Sequence, residues 1–148
     1  MNTIIEKVIF LQKVNLFSDI PSEQLSHLAA IAERISVPED TYLFEEGDPS
    51  EYLFIVISGA VEIRKDEKIL KVSERYGEVG MLGFFDNAPR MGDALTNRHT
   101  ELLRIQSVDF MDLLEDRVHL SHGILKFFVR HLRSLFSALE EKSEEIES

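Results

Sequence analysis

Across residues 34–105 of this chain the apolar side chains recur at every second position in short runs, and on either side they recur every three or four. A period of two belongs to a strand with one buried face, and a period near 3.6 to an amphipathic helix. The chain must therefore set a strand-rich centre between two helical flanks. Few layer architectures accept that order.

In the centre, Ile35, Val37, Tyr42, Phe44, Phe54, Val56, Val61 and Ile63 fall in segments separated by turn residues. Those turns are Pro38-Glu39-Asp40, Glu46-Gly47-Asp48-Pro49 and Ser58-Gly59. Residues 52–58 are apolar on both sides of the alternation, which predicts a strand in the middle of a sheet. Further strands fit residues 68–72, 94–96 and 101–105. Many short strands at close intervals argue for a sandwich or barrel.

On the N-terminal side, Ile4, Ile5, Val8 and Ile9 predict a helix over residues 3–13. Leu16-Phe17 and the turn Ser18-Asp19-Ile20-Pro21 lead to a second helix, with Leu25, Leu28, Ala29 and Ala32 on its buried face and its end near Glu33. After Ile105 the helical period returns. Ser107 is a suitable N-cap and Asp109 suits a first turn, so residues 108–115 read as a helix. Leu125, Phe128, Leu132, Leu135 and Leu139 then follow in alternating steps of three and four, a heptad seam on a helix over residues 120–141. The whole chain reads as one domain: N-terminal helices over 3–33, strands over 34–106, C-terminal helices over 107–141 and an acidic tail over 142–148. Five glutamates in residues 140–148 point to a frayed, solvated end.

Charge and composition narrow the function. The formal net charge of −11 repels phosphate backbones, and only Arg130, His131 and Arg133 group their basic side chains, so nucleic acid is not an expected partner. The longest apolar run, residues 53–57, is too short for a bilayer, and no basic leader precedes an apolar block. Absence of cysteine excludes disulfides and thiolate metal sites and fits a cytoplasmic protein.

Several stretches together resemble the cyclic-nucleotide-binding domain of catabolite-activator-type regulators and protein kinase A regulatory subunits. They are residues 16–21 as the leading turn, Phe44-Glu45-Glu46-Gly47-Asp48 with residues 52–59 as the hallmark hairpin region, and Asp86-Asn87-Ala88-Pro89-Arg90 as the end of a phosphate-binding cassette. Residues 100–105, with Asp109, Phe110, Leu113 and Leu114, resemble the return into the C-terminal helices. The likeness runs over residues 16–135. It implies a mainly β fold with flanking helices, an eight-stranded, jelly-roll-like double-stranded β-helix (a β-roll) followed by a long C-terminal helix. It also implies a ligand inside the roll, cyclic AMP or cyclic GMP in the family's usual case.

In that family a glycine and a glutamate open a short helix, and an arginine follows nine residues after the glutamate, then a small hydroxyl residue and an alanine. The helix amides and the arginine hold phosphate while the glutamate accepts a ribose hydroxyl. Two glycines of this chain compete for that role. Glu78, after Gly77, stands twelve residues before Arg90, whereas Met81, after Gly80, stands nine before it. The Gly80 frame is preferred because it needs no insertion in the cassette, only a shorter preceding turn. It makes the candidate pocket Gly80, Met81, Leu82, Gly83, Pro89, Arg90, Met91 and Gly92, with methionine in place of the sugar carboxylate and Met91 in place of the hydroxyl. Glu78 is the sugar contact of the alternative frame. Three outcomes stay open: Arg90 paired with a carboxylate such as Asp93 or Glu78 in a closed core, a changed ligand, or retained cyclic-nucleotide binding.

Other chemistry has weaker support. Gly77, Gly80 and Gly83 lack dinucleotide-fingerprint spacing. His119, His122 and Glu115 are a conceivable surface metal set, more simply read as solvated side chains. No nucleophile context is present, so no enzyme activity is expected. Phe127 and Phe136 lie off the seam of Leu125, Phe128, Leu132, Leu135 and Leu139, which predicts one helix face on the core and one on a second copy. The resemblance likewise implies a homodimer through this helix. The chain stops at Ser148, short of the helix-turn-helix that a DNA-binding member would add. The expected output is therefore through the C-terminal helix to a partner protein, driven by movement of residues 81–85.

Overall fold

The apolar run of residues 52–58 is apolar on both sides because its strand lies between two different cores. In the computed structural model, which describes residues 1–147, β3 (Tyr52–Ser58) sits inside a four-stranded antiparallel sheet. Its neighbours are β8 (Thr100–Gln106) and β6 (Glu78–Val79), and β1 (Ala32–Val37) pairs beyond β8. Leu53 and Ile55 face the helices, whereas Phe54 and Val56 face the other sheet. That second sheet runs in the order β2 (Tyr42–Phe44), β7 (Asp93–Thr96), β4 (Val61–Lys65) and β5 (Lys68–Ser73). Eight strands in two antiparallel sheets form the expected roll.

The helices cover the outer face of the first sheet. They are α1 (Ile4–Leu11), a 3₁₀ turn (Asn15–Phe17), α2 (Ser22–Ile31), α4 (Ser107–Asp116) and the start of α5 (Val118–Glu147). Leu11, Leu16, Phe17, Leu28, Phe110 and Leu120 are fully enclosed there with Leu103 and Ile105. Thr3 caps α1 by accepting the Glu6 N–H at 3.1 Å, which satisfies one of the free amides of its first turn. The smaller core, with Val37, Val61, Val79, Ala94 and Leu102, lies between the sheets.

The structure departs from the sequence reading at five places. Strand β1 begins at Ala32, because its pairing with Ile105 takes over directly at the C-cap of α2. Strand β6 was not expected; Glu78 and Val79 pair with Ile55 and Phe54, and a run this short carries no visible period. Ser107 is the first residue of α4 and does not cap it; the N-cap is Gln106, without a side-chain bond. The short helix α3 (Met81–Phe84) is broken at Leu82 and Gly83, whose dihedrals are not helical. The acidic segment is helix through Glu147, since Glu and Lys favour helix intrinsically; Ser148, the last residue of the expected tail, lies outside the described residues.

Candidate functional site

Arg90 is the best anchored side chain of the cassette. Its backbone is tied into the β2–β3 turn: the Arg90 N–H donates to Asp48 O and the Gly47 N–H donates to Arg90 O, both at 2.9 Å. Asp93 extends the same seam by accepting the Glu46 N–H at 2.7 Å. The guanidinium then points inward, and the residue as a whole is 4% exposed. Nη1 donates to Gly80 O at 2.7 Å and lies 3.5 Å from Leu82 O, and Nη2 donates to Tyr52 O. The plane stacks on Phe44, 4.0 Å from the ring centre.

The pairing of Arg90 with Asp93 or Glu78, one of the three open outcomes, does not form. Asp93 is held by the turn, and Glu78 Oε1 lies 3.5 Å from Lys71 Nζ on β5. Arg90 is consequently a buried cation whose fork is satisfied by carbonyls. Burial depresses its pKa, the nearby Asp48 charge opposes that shift, and its Nε–H has no acceptor.

Gly80 explains the close approach. It stands at the N-cap of α3 with φ of 91°, and a Cβ there would come within 2.7 Å of Arg90 Nη1. A side chain would thus be strained and would also displace the guanidinium. The kink at Leu82 turns this segment's carbonyls to Arg90, so the cassette is not the regular helix the sequence predicted.

A cavity of about 290 Å³ opens in front of these groups. Gly80, Met81, Leu82, Arg90, Met91 and Gly92 border it, and so does Glu78. Both candidate frames therefore reach the same space. Gly83 and Pro89 do not. Gly83 packs where a Cβ would collide with Ser50 and Ala88, and Pro89 borders a separate hollow of about 210 Å³ beside Asp48 and Tyr52.

Sequence reasoning missed Phe44, Ile63, Val79, Lys71 and His131 as wall residues. Lys71 and Ile63 are cross-strand partners on β5 and β4, so alternation places them on one face once that register is known. No local signal marks His131, which comes from α5 and stacks on Phe127 with ring centres 6.0 Å apart.

Behind the cavity runs a chain of aromatic contacts. Phe84 and Phe85, at the end of the cassette helix, meet Phe110 of α4 at 5.4 and 5.6 Å, edge to face. Phe85 also meets Phe128 of α5 at 5.4 Å, and Phe128 touches Phe127 at 5.5 Å. Phe128 therefore turns to the chain's own core, and Phe127 is buried with it. Leu125, Leu132, Leu135 and Leu139 remain between 51% and 67% exposed.

Elsewhere, Ser36 Oγ, His99 Nε2 and Glu101 Oε1 meet at 3.1–3.2 Å on the surface. Serine and carboxylate share one imidazole nitrogen, whereas a proton relay needs one on each. Among the described residues no group of three His, Cys, Asp or Glu side chains is placed to hold a metal ion. No helix there is long and apolar enough to cross a membrane.

A family model described as "Cyclic nucleotide-binding domain" matches residues 34–117. An uncharacterized NTE family protein of Mycobacterium tuberculosis (strain H37Rv) is 32% identical over 83% of this chain and 21% of its own length. A CRP-like cAMP-activated global transcriptional regulator of the same organism is 25% identical over 83% of this chain and 57% of its own. The chain thus spans about a fifth of the first relative and just over half of the second. The solved N-terminal domain of a transcriptional regulator from Streptomyces coelicolor A3(2) superposes with a TM-score of 0.78 at 27% identity, covering 87% of this chain and 96% of that one.

Proposed function

Because the chain belongs to the cyclic nucleotide-binding domain family, we propose that it is a non-catalytic regulatory module of the cytoplasm whose roll cavity binds cyclic nucleotides weakly or not at all. One observation carries this reading. The residue that follows the left-handed Gly80 and opens α3, nine before Arg90, is Met81 rather than a carboxylate. Glu78 belongs to strand β6 and faces Lys71. Met91 and Gly92 follow the arginine where a hydroxyl residue and an alanine are usual. A hydrogen bond to a charged group contributes about 1.5–3 kcal/mol, so loss of two such contacts weakens a nucleotide by roughly a hundredfold or more.

The response passes to α5. Cavity occupancy biases the position of Met81–Phe84, and the contacts of Phe85 with Phe110 and Phe128 pass that bias to α4 and α5. The change is a shift between two populated arrangements and requires a ligand that prefers one of them. The exposed leucines at 125, 132, 135 and 139 supply a seam for a second copy, and the resulting homodimer presents α5 to a regulated partner protein.

Thermal unfolding with millimolar cyclic AMP or cyclic GMP tests the reading. A ligand at 100 times its Kd adds about 2.7 kcal/mol of stability, so a clear rise in Tm contradicts weak binding and no rise supports it.

A second reading, a working cyclic-nucleotide site built on Glu78 and Arg90, is favoured by their shared border on one cavity. It requires a Tm rise with cyclic AMP that Glu78→Gln abolishes. The third reading, a ligand-free dimeric scaffold, is favoured by the exposed seam. It requires a dimer by sedimentation and no response to any small ligand.

A further inference from the structure

We propose that the cavity takes a small monocarboxylate with an apolar alkyl or aryl body, so that Arg90 reads one negative charge and the methionine-rich wall reads the rest. The inference rests on the reading of this cavity as a ligand site that does not favour cyclic nucleotides, and it names the ligand class.

The walls carry the argument. Phe44, Ile63, Val79, Met81, Leu82 and Met91 line the space, and among the described residues no hydroxyl or amide side chain does. A sugar-bearing ligand would find no hydroxyl or amide side chain, and each buried sugar hydroxyl without a partner costs affinity. Leu82 and Met91 are 63% and 62% exposed beside the cavity, apolar surface that a ligand body would cover. Methionine adapts to an irregular apolar guest. The volume of about 290 Å³ lies at the small end of ligand sites, which run from about 300 to 1,000 Å³.

The charges set the valence. Four ionisable side chains border the space: Lys71, Glu78, Arg90 and His131. Lys71 and Glu78 face each other at 3.5 Å and cancel. His131, on α5, lays its ring on Phe127 with centres 6.0 Å apart. Arg90 is left as a buried cation bonded only to carbonyls; the Asp48 charge acts on it without a direct bond, its carboxylate being turned to the Glu45 N–H at 2.9 Å. A buried charge with no directly bonded counter-charge is unfavourable. One carboxylate supplies that counter-charge; a neutral guest does not and a dianion overshoots it.

Calorimetric titration of the intact protein with hexanoate, octanoate, octanamide and cyclic AMP tests the proposal. Octanoate is expected to bind one per chain, at least tenfold more tightly than octanamide. Each added methylene between hexanoate and octanoate should tighten binding about fourfold, from about 0.8 kcal/mol per buried methylene. Met91→Glu, at an exposed position, should weaken octanoate at least tenfold without altering Tm, and Met91→Leu should leave it within twofold. Equal binding of octanoate and octanamide overturns the proposal, as does octanoate binding that Met91→Glu leaves unchanged. No binding of octanoate or cyclic AMP overturns this inference alone. Tight cyclic AMP binding overturns the reading on which it rests.

Discussion

Arg90 Nη1 donates to the carbonyl of Gly80 at 2.7 Å, so the arginine that ends the cassette holds the glycine that begins it. The nine residues between them are closed into a loop by that bond and by the left-handed turn at Gly80. Gly80→Ala should therefore be costly, because a Cβ there meets the guanidinium at 2.7 Å and a left-handed non-glycine residue costs about 1–2 kcal/mol in addition. Urea unfolding should show a loss of at least about 2 kcal/mol with an unchanged slope. A loss below half of that would mean that the loop relaxes freely around Arg90.

Restoring the family's polar residues should restore the family's ligand. Met81→Glu combined with Met91→Ser places a carboxylate at the opening of α3 and a hydroxyl after Arg90. Each such contact contributes about 1.5–3 kcal/mol, so cyclic AMP affinity by calorimetry should rise at least tenfold over the parent chain. An unchanged affinity would reject the alignment of Met81 with the sugar contact and return attention to Glu78.

The link between cassette and long helix is measurable. Phe85 and Phe128 meet edge to face at 5.4 Å, and aromatic pairs contribute about 0.5–1.5 kcal/mol beyond their buried area. A double-mutant cycle of Phe85→Leu and Phe128→Leu should give a coupling within that range. Additive losses would remove this contact from the proposed route to α5.

Stability should fall in acid through two surface carboxylates. The Glu101 pKa is held below 4.5, first by its bond with His99 and then by Ser36 and the charge of Arg34. Glu62 is lowered chiefly by Arg64, and Asn97 adds to it. A carboxylate with a depressed folded-state pKa binds its proton more readily when unfolded. Its contribution is therefore full above 4.5 and is lost as pH falls through the folded value. Thermal scans from pH 6 to 3 should show Tm declining below about pH 4.5, and the decline should be shallower in Glu101→Gln.

The exposed seam makes a plain prediction for assembly. Leu132→Glu and Leu139→Glu each place a charge on the seam at a position more than 60% exposed in the single chain. Sedimentation should show a dimer for the parent and a monomer for both variants, with far-ultraviolet circular dichroism unchanged. A monomeric parent would assign the seam to something other than a second copy.

Much of this fold was legible because it is written in local periods. Alternation over residues 34–105 located the strands, and the double-sided run at residues 52–58 marked β3 as central before its two cores were visible. The step pattern of Leu125, Phe128, Leu132, Leu135 and Leu139 marked the outer face of α5 only through its leucines, because Phe128 turns to Phe85 and the chain's own core. Strand β6 was not legible, since two residues have no period and exist as a strand only because Phe54 and Ile55 of β3 pair with them, next to the bonds of Val56 with Tyr76 and Gly77.

The sequence by itself determined the broad order of helices, strand-rich centre and helices, and the absence of a thiol chemistry, and it offered residues 80–92 as a candidate pocket. Those properties follow from side-chain type and spacing along the chain. Only the tertiary structure decided what Arg90 bonds, which of Gly83 and Gly92 reaches the cavity, and that Lys71 rather than Arg90 faces Glu78. Partners in those contacts come from Tyr52, β5 and the start of α3, brought together by sheet register. Charge pairing depends on which groups are nearest in space, and one sequence offers twenty-seven carboxylates to choose from.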